Sequence, residues 1–182
     1  MRVIAGSFGG LTLRAPKGNE TRPTSDKVRE ALFSMLSALS PSAIADARVL
    51  DLFAGSGALG IEALSRGAAS AVFVDGAVAA AEAIQANLAA VKTTGEVVRR
   101  SALAYLDAAV SLGHQYDLVF VDPPYRMASE LGQTLSDALP AVLSARARVV
   151  TESDRRDPLK LELPIVRERR YGDTLITIHD AR

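Results

Sequence analysis

The sequence predicts an α/β protein built on one mostly parallel sheet, with an antiparallel pair at its far end. Three observations predict it. From about residue 48, short apolar runs alternate with helical segments. The runs are apolar almost throughout, as in strands covered by helices on both faces. Finally, two segments of alternating polarity flank Tyr171-Gly172-Asp173, which is a hairpin signal.

Residues 1–40 differ in character from the rest. Arg2–Ala5 and Leu11–Arg14 read as two short strands around Gly6, Gly9 and Gly10, and Pro16-Lys17-Gly18-Asn19 reads as a loop. Thr24 or Ser25 offers an N-cap to a helix with Val28, Leu32, Met35, Leu36 and Leu39 on one stripe, and Pro41 ends it. A small β-hairpin and helix extension over residues 1–40, followed by a main domain over 41–182, is the expected organisation.

The main domain follows in order. Arg48–Phe53 is a strand running into Gly/Ser turn residues, Leu59–Arg66 a helix, and Ser70–Asp75 a second strand. Val78–Val91 is an alanine-rich helix, Glu96–Arg100 a third strand, Leu103–Val110 a short helix and Tyr116–Val121 a fourth strand. Glu130–Leu143 is helical, with Pro140 kinking it or ending it early. Arg146–Thr151 is a fifth strand, and Pro164–Arg170 with Thr174–His179 forms the terminal hairpin.

Composition bounds the function classes. Nearly half of the 182 residues are apolar, which argues for a packed core rather than disorder. There is no cysteine, so disulfides, cysteine-ligated zinc and iron–sulfur clusters are excluded, and no metal site is expected. The sequence has neither a signal-peptide core nor a membrane-length apolar run, so a soluble cytoplasmic protein is expected. Net charge is zero but uneven: residues 1–40 carry six Lys/Arg against three Asp/Glu, and residues 41–90 two against five. A nucleic-acid partner would therefore need a local basic face.

Two motifs carry chemistry. In Asp51-Leu52-Phe53-Ala54-Gly55-Ser56-Gly57-Ala58-Leu59-Gly60 the glycines satisfy G-x-G-x-x-G between a strand and a helix. They permit a tight turn and let backbone N–H groups approach a ligand. Asp75, at the end of the next strand, is placed to accept from ribose hydroxyls. The pattern alone fits a dinucleotide as well as S-adenosylmethionine (SAM). Asp51 tilts the choice, because a carboxylate so close to the loop repels a pyrophosphate and attracts the ammonium of a methionine moiety. A carboxylate capping loop N–H groups is the plainer role for the same residue.

The second motif is Asp122-Pro123-Pro124-Tyr125, at the carboxyl end of the fourth strand. Consecutive prolines cannot continue a ladder, so the chain leaves the sheet there with carbonyls unpaired. An acid, carbonyl acceptors and a flat ring suit a planar amino group such as a nucleobase amine. Asp122 and the Pro123 carbonyl would accept its two hydrogens, Pro124 shapes the turn, and Tyr125 would stack on the base. Such an arrangement accelerates by positioning and charge placement.

The chain resembles the RsmD family of ribosomal RNA methyltransferases over nearly its whole length. The resemblance rests on Arg2-Val3-Ile4-Ala5-Gly6, Arg22-Pro23-Thr24, Asp26, Val28-Arg29-Glu30, Phe33, Asp51–Arg66 and the Asp-Pro-Pro-Tyr run. It implies a class I, Rossmann-like SAM-dependent methyltransferase domain with a seven-stranded mixed sheet whose last strand is inserted antiparallel. It implies methylation of a guanine N2 amine in 16S rRNA of the small ribosomal subunit by a monomeric enzyme. It implies SAM over Phe53, Ala54, Gly55, Ser56 and Gly57 with Asp75 on the ribose, and Arg22-Pro23-Thr24 closing over the methionine end. Thr24 would hydrogen-bond the carboxylate there, with Arg22 or Arg29 neutralising it. This chain departs from the family in three places. Gly9-Gly10-Leu11-Thr12 stands where basic residues are common, Asp75-Gly76-Ala77 has one acid where two are usual, and Ser101 with the Ala102 backbone stands at the adenine-recognition position. Arg2, Arg14, Lys17, Lys27 and Arg126 are candidates for the RNA face. A DNA or RNA adenine-N6 methyltransferase is the main alternative. An NAD-binding oxidoreductase and a non-catalytic RNA-binding factor are more remote ones.

Overall fold

The computed structural model describes residues 1–16, 25–40, 43–124 and 127–181. Helix α1, Asp26–Leu39, precedes the alternating region. There follow β1 (Arg48–Leu52), α2 (Ala58–Ser65), β2 (Ser70–Val74), α3 (Val78–Ala90), β3 (Glu96–Val98), α4 (Ala102–Ser111) and β4 (Tyr116–Val121). Helix α5 (Ala128–Ala138) ends in a 3₁₀ turn over Leu139–Val142, and β5 (Leu143–Asp154), β6 (Ile165–Tyr171) and β7 (Thr174–Asp180) complete the chain. The strands form one seven-stranded sheet in the order β3-β2-β1-β4-β5-β7-β6. All pairs up to β4–β5 are parallel, and β7 lies antiparallel between β5 and β6. The mixed sheet with an antiparallel end is therefore as expected.

Strand composition explains the two-sided core. Along β1 and β4, successive apolar residues point to opposite faces. Val49, Leu118 and Phe120 face a cluster with Leu32, Phe33 and Leu36 of α1, while Leu50, Leu52, Val119 and Val121 face one with Leu106 of α4 and Leu135 of α5. At the amino ends, the exposed guanidinium of Arg48 forks onto Asp117 at 3.0 and 3.2 Å and holds that carboxyl down at about 2. Ser25, not Thr24, caps α1: its Oγ accepts from the Val28 N–H. Pro140 sits at the start of the 3₁₀ turn, where its missing N–H costs nothing, and the α-helix has already ended at Ala138. Thr24, with Arg22, Lys17, Tyr125 and Arg126, lies outside the described residues.

Three expectations need correction. The third strand stops at Val98 rather than Arg100. The fifth runs through Asp154 rather than Thr151, because β7 pairs along it as far as Asp154–Thr174 and buries Glu152 and Ser153. The two N-terminal strands reduce to one bridge, Arg2–Thr12. Backbone bonds join the segments as far as Val3, and beyond it the chain meets a different acceptor. The N–H groups of Ile4 and Ala5 donate to the fully buried carboxylate of Glu62 on α2, at 2.7 and 3.1 Å, and not to a strand partner. The Arg66 Nε donates to the same carboxylate at 2.7 Å, and its guanidinium lies 4.8 Å over the Phe33 ring. The end of α2 also holds the following turn, since the Ser7 N–H donates to the Ser65 carbonyl and the Phe8 N–H to the Ser65 Oγ.

Gly6 is the contact point of that turn. Its φ is +83°, and a Cβ there would lie 1.8 Å from the Ser65 carbonyl oxygen. Gly172 has a φ of +62° with open space around it. Gly6→Ala is therefore expected to lose about 2 kcal/mol or more of stability, and Gly172→Ala about 1 kcal/mol. Urea unfolding of the two variants compares them directly, and equal losses would mean that Gly6 is needed only for its φ.

Candidate active site at the carboxyl ends of three strands

Register brings the two motifs together. Leu52 pairs with Val74 on one side and Val121 on the other, so Phe53, Asp75 and Asp122 all follow from one row of the sheet. Strand order reverses direction at β1, which makes the space outside β1 and β4 the switch-point crevice of an open α/β sheet.

The loop after β1 is held by its neighbours. The Ala54 N–H donates to the Val74 carbonyl at 3.0 Å and the Gly57 N–H to the Ala54 carbonyl at 2.7 Å. Gly55 and Gly57 have φ of +56° and +75°. Half-buried Phe53 shares this left-handed conformation at +62°, an uncommon one for a bulky side chain. Gly60 answers a packing need, as a Cβ there would meet the Phe73 ring at 2.3 Å. The Asp75 carboxylate accepts from the Gly55 N–H and the Ala77 N–H, both at 2.9 Å, so it fixes the loop while remaining half-buried.

Asp51 takes the plainer of its two expected roles. Its carboxyl is buried and accepts from the Gly60 N–H, in the first turn of α2, at 2.9 Å. Burial pushes it up to about 8. The Gly60 hydrogen bond opposes that shift, and the nearby Asp75 charge adds to it. A cation brought to the loop would favour the ionised form and draw this value down. Among the described residues, no Lys or Arg forms an ion pair with Asp51 or Asp75. The loop is thus held by two acids that have no counter-cation among the described residues. That setting fits SAM, which carries positive charge and no phosphate, and does not fit a pyrophosphate.

At the end of β4, Asp122 is half-buried, Pro123 buried and Pro124 exposed. The Pro124 carbonyl accepts from the Met127 N–H at 2.8 Å, whereas no described residue donates to the Pro123 carbonyl. Among the described residues, the Pro123 carbonyl is thus the one of the two without a donor. Ser101 caps α4 through a 3.3 Å bond from the Ala104 N–H, and Ala102 opens that helix with an N–H that has no intrahelical partner. Arg29 is buried; it donates to the Arg2 carbonyl and to Asp26 at 2.8 Å, while its Nε and Nη1 have no partner among the described residues.

Two site residues escape sequence reasoning. One is Glu62, described above. The other is Asn87 of α3, which is 1% exposed. Its Nδ2 donates to the Ser56 carbonyl at 2.8 Å and the Arg14 carbonyl at 2.9 Å, and its Oδ1 accepts from the Arg14 N–H at 2.8 Å. It clamps the glycine loop to the N-terminal segment, which also touches the loop where the Ser56 Oγ meets the Met1 Sδ at 3.3 Å. A lone Asn on the apolar side of an alanine-rich helix was the available signal, because it has low helix propensity and cannot be buried unpaired.

Seven strands in this order, with the last inserted antiparallel and a glycine loop after the first, define a class I SAM-dependent methyltransferase fold. Residues 1–180 match the family described as Conserved hypothetical protein 95, and the chain belongs to it, the RsmD family that its motifs indicated. It is 38% identical to the Bacillus subtilis protein named "Putative rRNA methyltransferase YlbH", covering all of both chains. It is 42% identical to Ribosomal RNA small subunit methyltransferase D of Escherichia coli over 69% of this chain and 61% of that one. A solved structure described as "Putative methyltransferase yhhF from Escherichia coli" superposes with a TM-score of 0.80 at 35% identity, covering 99% of this chain and 97% of that one.

Removing the Asn87 clamp takes the side-chain donor from the part-buried hydrogen bonds to the Ser56 and Arg14 carbonyls. Asn87→Ala is expected to weaken S-adenosylhomocysteine binding about tenfold and to cost about 2 kcal/mol of stability. Calorimetric titration and urea unfolding read the two effects, and unchanged affinity would show that the loop holds its shape without the clamp. Asp51 gives a pH signature. Its folded value of about 8 lies above its ordinary 3.8, so the folded state retains a proton that the unfolded state loses. Stability at this position is full below pH 4 and falls as pH rises towards 8, by up to about 1.4 kcal/mol per unit. Asp51→Asn should therefore gain on the unmodified protein steadily from pH 5 to 8 in the absence of ligand. A constant difference would contradict the shift.

Proposed function

We propose that this protein is a SAM-dependent methyltransferase that acts on ribosomal RNA, with the exocyclic N2 amine of a guanine in 16S rRNA as acceptor. The observation that carries this reading is the meeting of Asp75, the Gly55–Gly57 loop and Asp122-Pro123 at one row of strand ends. The names of the Bacillus and E. coli relatives support the rRNA assignment.

In this reading Phe53, Ala54, Gly55, Ser56 and Gly57 line the methionine and ribose side of SAM. Asp75 accepts from the ribose hydroxyls, and Ser101 with the Ala102 N–H faces the adenine. Thr24 hydrogen-bonds the methionine carboxylate, and Arg22 or Arg29 neutralises it. SAM supplies an electrophilic methyl group on a sulfonium. The acceptor amine is a poor nucleophile because its lone pair is delocalised into the base. Asp122 and the Pro123 carbonyl accept from its two hydrogens, favour a pyramidal nitrogen and localise that lone pair. Pro124 holds the turn and Tyr125 stacks on the base. Asp122 acts by hydrogen bonding rather than as a strong base, because the methylated amine loses a proton readily to water. A target within a helix must be flipped out, or be presented in a loop. Residues 1–40 serve as the cover of the SAM side and 41–182 as the transfer domain, acting as a monomer in the cytoplasm on the small subunit or its precursor.

Methyl transfer from labelled SAM to 30S particles lacking their native methylations, followed by nucleoside mass spectrometry, tests the assignment. N2-methylguanosine is expected; N6-methyladenosine as the sole product would overturn it. Asp122→Ala is expected to lower kcat about 100-fold or more with S-adenosylhomocysteine affinity kept. Normal turnover by that variant would remove Asp122 from the chemistry.

A further inference from the structure

Strand β6 is the outermost strand of the sheet, and its sequence is Ile165-Val166-Arg167-Glu168-Arg169-Arg170-Tyr171. Its only strand partner among the described residues is β7, so its other edge presents unpaired backbone groups. Charge on an edge strand blocks edge-on association, which either sign would achieve. Here the sign is one-sided. Arg167, Arg169 and Arg170 form no ion pair with any described residue, and Glu168 is the only acid on the strand. The acids nearby are already engaged: Asp173 by Arg155 at 3.3 Å and Asp154 by Arg156 at 2.8 Å. A protein of zero net charge thus concentrates a local positive surplus on one edge.

The ladder fixes the height of that surplus. Arg169 pairs with Ile176, Ile176 with Glu152, and the preceding Thr151 with Val121. Arg169 therefore stands level with Asp122, and by the same rows Arg170 stands level with Pro123. Three strand spacings separate β6 from β4, roughly 14 Å. The cross-strand partners of Arg169 and Arg170, Ile176 and Leu175, point to opposite faces of the sheet, so the two guanidinia project on either side of the edge.

We propose that the β6 edge is a docking rail for the phosphate backbone of the RNA substrate, with Arg167, Arg169 and Arg170 gripping nucleotides that flank the one presented to Asp122. The proposal rests on the rRNA reading above. It adds a face beyond the basic residues expected from the sequence, Arg2, Arg14, Lys17, Lys27 and Arg126, none of which lies on β6. Guanidinium forks match phosphate geometry and hold register without reading bases. Unpaired guanidinia at the height of the acceptor site, on the acceptor side of the switch point, carry the assignment.

The test compares the unmodified protein with the triple variant Arg167→Gln/Arg169→Gln/Arg170→Gln, and with Arg146→Gln at the amino end of β5 as control. Deproteinised 16S rRNA is the binding probe, titrated from 50 to 200 mM KCl. The triple variant is expected to keep its unfolding midpoint and S-adenosylhomocysteine affinity. It should bind RNA at least tenfold more weakly at 100 mM salt, with a log–log salt slope shallower by about 2. Its KM for 30S particles should rise while kcat changes little. An unchanged slope would overturn the proposal, and so would an equal loss in Arg146→Gln. If the triple change converts a dimer to a monomer with RNA affinity intact, the edge serves self-association and the proposal falls. Absence of methyl transfer by the unmodified protein would defeat the rRNA reading instead, while the salt slopes would still judge the edge.

Discussion

The Glu62 carboxylate, buried in the second turn of α2, governs how the N-terminal segment meets the sheet domain. A carboxylate without water must be fully hydrogen-bonded, or it destabilises the fold by several kcal/mol. Here the partners are the Ile4 and Ala5 N–H groups and the Arg66 guanidinium. The same arginine lies over Phe33, whose ring meets Phe120 at 5.7 Å, two residues before Asp122. One acid therefore links three things: the first residues, the helix that opens at the glycine loop, and the strand that ends at the acceptor motif. The short run Gly-Ile-Glu-Ala-Leu-Ser-Arg reads as a family signature because its Glu, Ser and Arg each hold a part of this contact.

The donor and acceptor halves of the site differ in chemistry. On the SAM side, the Asp75 carboxylate and the buried Asp51 carboxyl hold the loop, and no described Lys or Arg forms an ion pair with either, a setting that suits a cationic ligand. On the β4 side, the chain leaves the sheet through an acid and two prolines, a run with no backbone N–H at Pro123 or Pro124. The loop itself is fixed from three directions, by Asp75 beneath it, by Asn87 from α3 and by the Met1 contact. Its geometry is thus set before any ligand arrives, and preorganisation of this kind lowers the cost of binding.

Much of this was legible in the sequence, for identifiable reasons. Apolar runs located β1, β2 and β4 closely, because strands buried on both faces have no polar face to confuse the pattern; the more exposed β3 was overextended. Pro140 and Ser25 marked their helix ends through local chemistry alone. What failed to show was non-local. Nothing in Ile4-Ala5 announces that their N–H groups meet a carboxylate on α2 rather than a neighbouring strand. Glu152 and Ser153 look like the end of a strand until β7 buries them. Asp51 was read for its charge, yet its burial and its bond to Gly60 depend on how α2 packs. Tyr125, Arg22 and Thr24 stand on sequence alone.

The insertion of β7 between β5 and β6 also has a consequence for biosynthesis. Strand β5 is twelve residues long and pairs with β7 through Arg148–Asp154. On a ribosome, β5 is complete some twenty residues before Thr174 appears. Until then its far edge is open, with Val149 and Val150 in the row and no strand to cover them. Strand β6 emerges first but cannot take that place without excluding β7. The nascent chain must keep this edge unpaired until its final strand arrives, so chains stopped short of β7 would carry an exposed apolar edge prone to aggregation.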